Sequence, residues 1–105
     1  MNQISLTDVL TALGDPIRLA IVELVFRHKG EVPWGDLEFN VNKATLSHHM
    51  KKLRLAGLIE HRKEGTRCFI SLRRDLEKTY PGLLSAILKS KRTCPYALVA
   101  KRTQD

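Results

Sequence analysis

Cysteine is scarce in this chain of 105 residues: only Cys68 and Cys94 are present, too few for a disulfide framework and too far apart for a CxxC metal or redox pair. Histidine is also sparse, and His48 and His49 are the only adjacent pair. Neighbours on a helix project about 100° apart, so these two cannot readily chelate one ion together, and no metal or other cofactor is expected. No apolar run approaches the roughly eighteen residues of a membrane span, and the N-terminus lacks the basic-then-apolar pattern of a secretion signal. Cytoplasmic placement without a membrane partner is the expectation. Acidic residues are the last shortage, 11 against 18 lysines and arginines, which leaves a formal charge of +7. Such a surface attracts polyanions, either nucleic acid or an anionic membrane face.

What is present suits one small folded unit spanning 1–105, since 43% hydrophobic and 28% charged residues are ordinary for a globular protein. Ser5 or Thr7 can cap a first helix whose Leu6, Val9, Leu10 and Leu13 recur at helical spacing before Gly14. Asp15-Pro16 reads as an N-cap with proline at the first helical position, opening a second helix that Gly30 ends. Residues 34–39 have room for a helix of one or two turns, and 40–42 for a turn. From Lys43 to Ala56, Leu46, Met50 and Leu53 form an apolar stripe, with Gly57 as the stop. Alternating runs at 58–62 and 67–72 flank a cationic tip, Lys63-Glu64-Gly65-Thr66, and predict a β-hairpin. Pro81-Gly82 then separates a short helical stretch from a last helix carrying Leu83, Leu84, Ile87 and Leu88.

This order predicts a mainly α fold with a small hairpin: a winged helix-turn-helix of about five helices and a two-stranded wing. The helix-turn-helix occupies 34–57 and the wing 58–73. Helices at 1–14 and 81–92 serve dimerisation, and 93–105 form a basic, flexible tail. In such a domain the second helix of the motif enters the major groove, while flanking cations hold phosphates. Lys43, Thr45, Ser47 and His48 are therefore candidates for base contacts, and Asn42, Lys51, Lys52, Arg54, Arg62, Lys63 and Arg67 for phosphate contacts. Leu6, Val9, Leu10, Leu83, Leu84, Ile87 and Leu88 exceed what so short a chain can cover alone, which points to a homodimer. Two-fold symmetry would place the recognition helices roughly 34 Å apart on a pseudo-palindromic site.

The run from Thr45 to Ile59, with its Ser-His-His and Leu-Arg-Leu-Ala-Gly-Leu segments, resembles the recognition helix and wing start of ArsR/SmtB-type bacterial repressors. Leu13-Gly14-Asp15-Pro16-Ile17-Arg18-Leu19 is similar to that family's second-helix opening, and Glu64-Gly65-Thr66-Arg67 to its wing. The resemblance spans roughly residues 6–90. It implies a homodimer formed by the first and last helices that binds an inverted-repeat operator in double-stranded DNA and represses transcription. The family's metal-sensing motifs are missing, because residues 34–39 contain no cysteine and the helix from Pro81 contains no histidine.

Other readings of these residues stay open. Cys68 and Cys94 permit a thiol-redox switch, as in some relatives, although Cys68 shares a strand face with Ile70 and Leu72 and suits a small buried filler. Trp34 and Phe39 suit the core, and Arg18 an ion pair or cap. A winged helix can also bind protein or structured RNA, but that gives no reason to gather lysine and arginine around Ser47 and His48. Catalysis would need a convergent acid, base or nucleophile, and none is apparent.

Overall fold

The computed structural model describes residues 4–28, 30–36 and 41–89. Local capping sets most of its helix boundaries. Ser5 begins α1 (Leu6–Leu13) by accepting the Asp8 amide at 3.4 Å, whereas Thr7 lies inside the helix. The Asp15 carboxylate accepts the amides of Ile17 and Arg18 at 2.9 and 3.1 Å and so starts α2 (Pro16–His28); Pro16, lacking an N–H, leaves no donor unsatisfied there. Asn42 starts α3 (Lys43–Leu55), its side-chain oxygen accepting the Thr45 amide at 2.9 Å.

The end of α3 is a paired turn in which Gly57 N–H donates to Arg54 and Leu58 N–H to Leu53. Gly57 holds φ +88°, and a Cβ there would stand 3.0 Å from Ile4 Cγ1. Glycine is needed at this position both for the left-handed backbone and for the approach of the N-terminal segment.

The sheet differs from the expected lone hairpin. The wing strands β2 (Ile59–Glu64) and β3 (Arg67–Leu72) pair antiparallel, but β1 (Val32–Pro33) joins the other side of β3, giving the order β1-β3-β2. A two-residue strand carries no alternation to read, and Pro33 fits because β1 is an edge. The turn is also tighter than expected, since Lys63 and Glu64 belong to β2 and only Gly65 and Thr66 bridge to Arg67. Between β1 and α3, the helix expected over 34–39 is seen as a single 3₁₀ turn, Trp34–Asp36; residues 37–40, and with them Phe39, lie outside the described residues.

After the wing come α4 (Arg74–Thr79) and α5 (Leu83–Leu88). Tyr80, between them, donates its hydroxyl to the Ile4 carbonyl at 2.7 Å and ties this corner to the start of α1. The last helix thus starts two residues after Pro81, and the expected continuation to 92 lies outside the described residues.

The core joins Val9 of α1, Ile21, Val22 and Val25 of α2, Leu53 of α3, and Leu58, Ile59 and Ile70 at the sheet, all 0–1% exposed. This placement corrects part of the expected dimer face. Val9, Leu84 and Leu88 lie inside the protomer's own core, whereas Leu6 and Leu10 are 41% and 46% exposed. Leu83 and Ile87 are half-buried against that core. In so small a domain, the centre of each apolar stripe is claimed by the neighbouring helices first.

Candidate nucleic-acid interface

The burial pattern divides α3 into two faces. Leu46, His49, Met50 and Leu53 are buried against the core, and Lys43, Ala44, Ser47, His48, Lys51, Lys52, Arg54 and, in the last turn, Leu55 are exposed. At about 100° per residue, Ala44, Ser47, His48 and Lys51 lie across the arc opposite the core. Lys43 and Arg54 flank that arc on one side. Thr45 and Lys52 flank it on the other, with Thr45 half-buried. Asn42 is exposed, but its side-chain oxygen is engaged as the helix cap.

Ala44, which the sequence reading did not single out, is exposed on the same side of α3 as His48. Its signal was its phase, four residues before His48 in the first turn, where a methyl side chain can meet a thymine methyl without holding the helix away from the bases.

His49 anchors the helix to the rest of the domain. It is 8% exposed, and the Arg18 guanidinium donates to its Nδ1 at 3.2 Å while Arg18 Nε donates to the Ala12 carbonyl at 2.7 Å. Arginine has no acceptor, so this contact favours a lone pair on Nδ1 and the neutral ring, while the Asp15 carboxylate, 3.9 Å from the same nitrogen, favours the charged one. Burial, the largest influence, and the nearby Arg18, His48 and Lys52 charges lower its pKa below 6.5, against the pull of Asp15. Arg18 is thus structural, and His48 alone of the pair faces solvent.

The wing presents its cations unequally. Lys63 and Arg67 are exposed and make no ion pair among the described residues. Arg62 is held instead: its Nε and Nη2 donate to the two Glu31 oxygens at 2.7 and 2.8 Å, and its Nη1 to Glu64 at 3.2 Å. These hydrogen bonds raise the Arg62 pKa and lower that of Glu31. With its charge already balanced, Arg62 is poorly placed for the phosphate contact expected of it.

His61, next to Arg62 on β2, stands edge-on to Trp34 at 6.3 Å between ring centroids. Partial burial, then the charges of Arg54 and Lys63, lowers its pKa. At the wing base, Arg73 pairs with Asp75 at 2.6 Å.

Cys68 is a half-buried free thiol on β3, and Cys94 lies outside the described residues. Among the described residues, no three His, Cys, Asp or Glu side chains gather where they could hold a metal ion, and no helix is long and apolar enough to cross a membrane.

Known proteins share both the sequence pattern and the fold. A helix-turn-helix domain family matches residues 13–62. The HTH-type transcriptional regulator YceK of Bacillus subtilis (strain 168) is 38% identical over 82 residues, 75% of this chain and 82% of YceK. The transcriptional repressor SdpR of the same organism is 32% identical over 69 residues, 64% of this chain and 74% of SdpR. Among solved structures, HlyU from Vibrio cholerae N16961 superposes with a TM-score of 0.60 at 22% identity, covering 80% of this chain and 84% of HlyU. That likeness establishes a winged helix-turn-helix fold. The chain belongs to the ArsR-type helix-turn-helix family of transcriptional regulators.

Proposed function

We propose that this regulator is a repressor that binds an inverted-repeat operator in double-stranded DNA as a homodimer. The observation that carries the reading is the solvent face of α3, where Ala44, Ser47, His48 and Lys51 are exposed opposite the buried Leu46–Leu53 stripe and Lys43 is exposed at its flank. A helix that presents short side chains such as Ser47 together with cations on its outer face and margins fits the major groove. Lys43, Ala44, Ser47 and His48 read base edges, with Thr45 at the flank. Lys51, Lys52, Arg54, Lys63 and Arg67 hold phosphates on either side, and Asn42 sets the start of the helix. Arg62 supports the wing rather than touching DNA.

Repression follows the name of SdpR. Dimerisation rests on the exposed Leu6 and Leu10 of α1 together with half-buried Leu83 and Ile87 of α5. Separate apolar side chains on a surface are common, but an i, i+4 leucine pair on a short helix makes a continuous ridge.

Selection of bound duplexes from a random pool is the test. The reading expects an enriched inverted repeat with half-sites about one helical turn apart. Enrichment of no sequence, or of a single unrepeated site, would refute it.

A further inference from the structure

Phe69 carries two guanidinium groups. Arg62 is its direct cross-strand partner and Arg67 precedes it by two residues on β3, so all three side chains share the sheet face turned away from Ile59 and Ile70. The Arg62 Cζ lies 4.6 Å and the Arg67 Cζ 5.4 Å from the ring centroid. A ring face attracts each cation, but two like charges sharing one ring repel each other. The carboxylate of Glu31 offsets that repulsion. It receives two parallel hydrogen bonds from Arg62, the strongest geometry open to this pair, and Glu64 adds a third from the wing. Glu31 directly precedes β1, and Pro33 of β1 pairs with Phe69 itself, so the same sheet that seats the ring also places the carboxylate.

Resting on the DNA-binding reading above, we propose that Glu31 is a positioning residue for DNA binding: by pinning and neutralising Arg62 across Phe69, it holds Arg67 ready for a backbone phosphate. An arginine held in one place loses less side-chain freedom when it meets a phosphate than one that is free to roam. Glu31 is thus an acid beside a cationic wing whose presence favours a polyanionic partner.

This assignment makes a prediction opposite to simple charge counting. Removing a carboxylate near DNA should tighten binding if charge alone matters. If Glu31 positions Arg67, binding weakens instead. Wild type, E31Q, R67A and the double variant would be titrated by fluorescence anisotropy with a labelled random-sequence duplex between 50 and 200 mM salt, below their melting temperatures. The expected result is a roughly five- to tenfold loss of affinity for E31Q near 0.1 M salt, with the log–log salt slope flattened by about 0.9, as for one lost phosphate contact. In the R67A background, E31Q should cost little more, because the two substitutions remove the same contact. F69L, which keeps the apolar bulk without the ring, should reproduce the loss. Unchanged or tighter binding by E31Q, or an equal loss with and without Arg67, would overturn the proposal. A wild-type protein that binds no duplex would overturn the DNA-binding reading and this proposal together, and that failure is distinguishable because it appears before any substitution.

Discussion

Replacing Gly57 with alanine tests how the recognition helix is joined to the wing. Two costs meet one gain at this position. The left-handed backbone at φ +88° costs a β-carbon about 1–2 kcal/mol, and the alanine recovers about 0.4–1 kcal/mol by restricting the unfolded chain. The new Cβ also stands 3.0, 3.3 and 3.4 Å from three carbons of Ile4. Ile4 cannot retreat freely, because it packs against the core and its carbonyl holds the Tyr80 hydroxyl at 2.7 Å. Overpacking of this kind adds about 1–3 kcal/mol, for a total near 2–3 kcal/mol. Gly65 is the internal control: it has φ +65°, and a Cβ added there would meet nothing within 4 Å, so Gly65→Ala should cost only about 0.5–1 kcal/mol. In thermal unfolding followed by circular dichroism, Gly57→Ala should melt about 4–20 °C lower than Gly65→Ala, at 4–8 °C per kcal/mol for a domain of this size. Adding Ile4→Ala should shrink the difference. Equal melting temperatures for the two glycine variants would refute the claim that Ile4 seals the end of α3.

The remaining predictions concern the core and the dimer face. His49 has a lowered pKa in the folded state, so the unfolded chain binds the extra proton first; its stabilising contribution is complete well above pH 6.5 and is lost as pH falls below that value. Melting temperatures at pH 7.5 and 5.5 should therefore fall with acid in the wild type and fall less in His49→Gln, and an equal fall would remove His49 from the account. Leu10→Asp should turn a dimer into a folded monomer in sedimentation, because Leu10 is 46% exposed, whereas Val9→Asp at 0% exposure should lose the fold itself. A Leu10→Asp protein that stays dimeric would move the interface elsewhere.

Features set by neighbouring residues were legible in the sequence. Asp15-Pro16 and Gly57 act within a few residues of themselves, and each sits at the helix boundary it marks, whereas Asn42, expected in a turn and at a phosphate, is the cap of α3. The polar outer face of α3 was readable for the same reason, since one helical period fixes what lies opposite Leu46, Met50 and Leu53. Features that depend on distant partners were not legible. β1 exists only because Val32 finds Ile70, and nothing in two residues announces that pairing. Arg62 looked like any other wing cation, yet its main partner, Glu31, is 31 residues away in the chain. Periodicity located the apolar stripes of α1 and α5 but could not tell Val9, which faces the core, from Leu10, which does not. The phase of Ala44 matters only once the opposite face of α3 is known to be buried.

On the proposed reading, the outer face of α3 reads sequence while the wing and helix margins hold the backbone. The most direct measurement is the affinity of wild type, Ser47→Ala, His48→Ala and Lys63→Ala for the selected operator and for a scrambled duplex of the same length, titrated across salt. Ser47→Ala and His48→Ala should lose about 1–3 kcal/mol on the operator and little on the scrambled duplex. Lys63→Ala should weaken both alike and flatten the salt slope by about 0.9. If all three variants lowered operator and scrambled binding by the same factor, the division between base-reading helix and phosphate-holding wing would be contradicted.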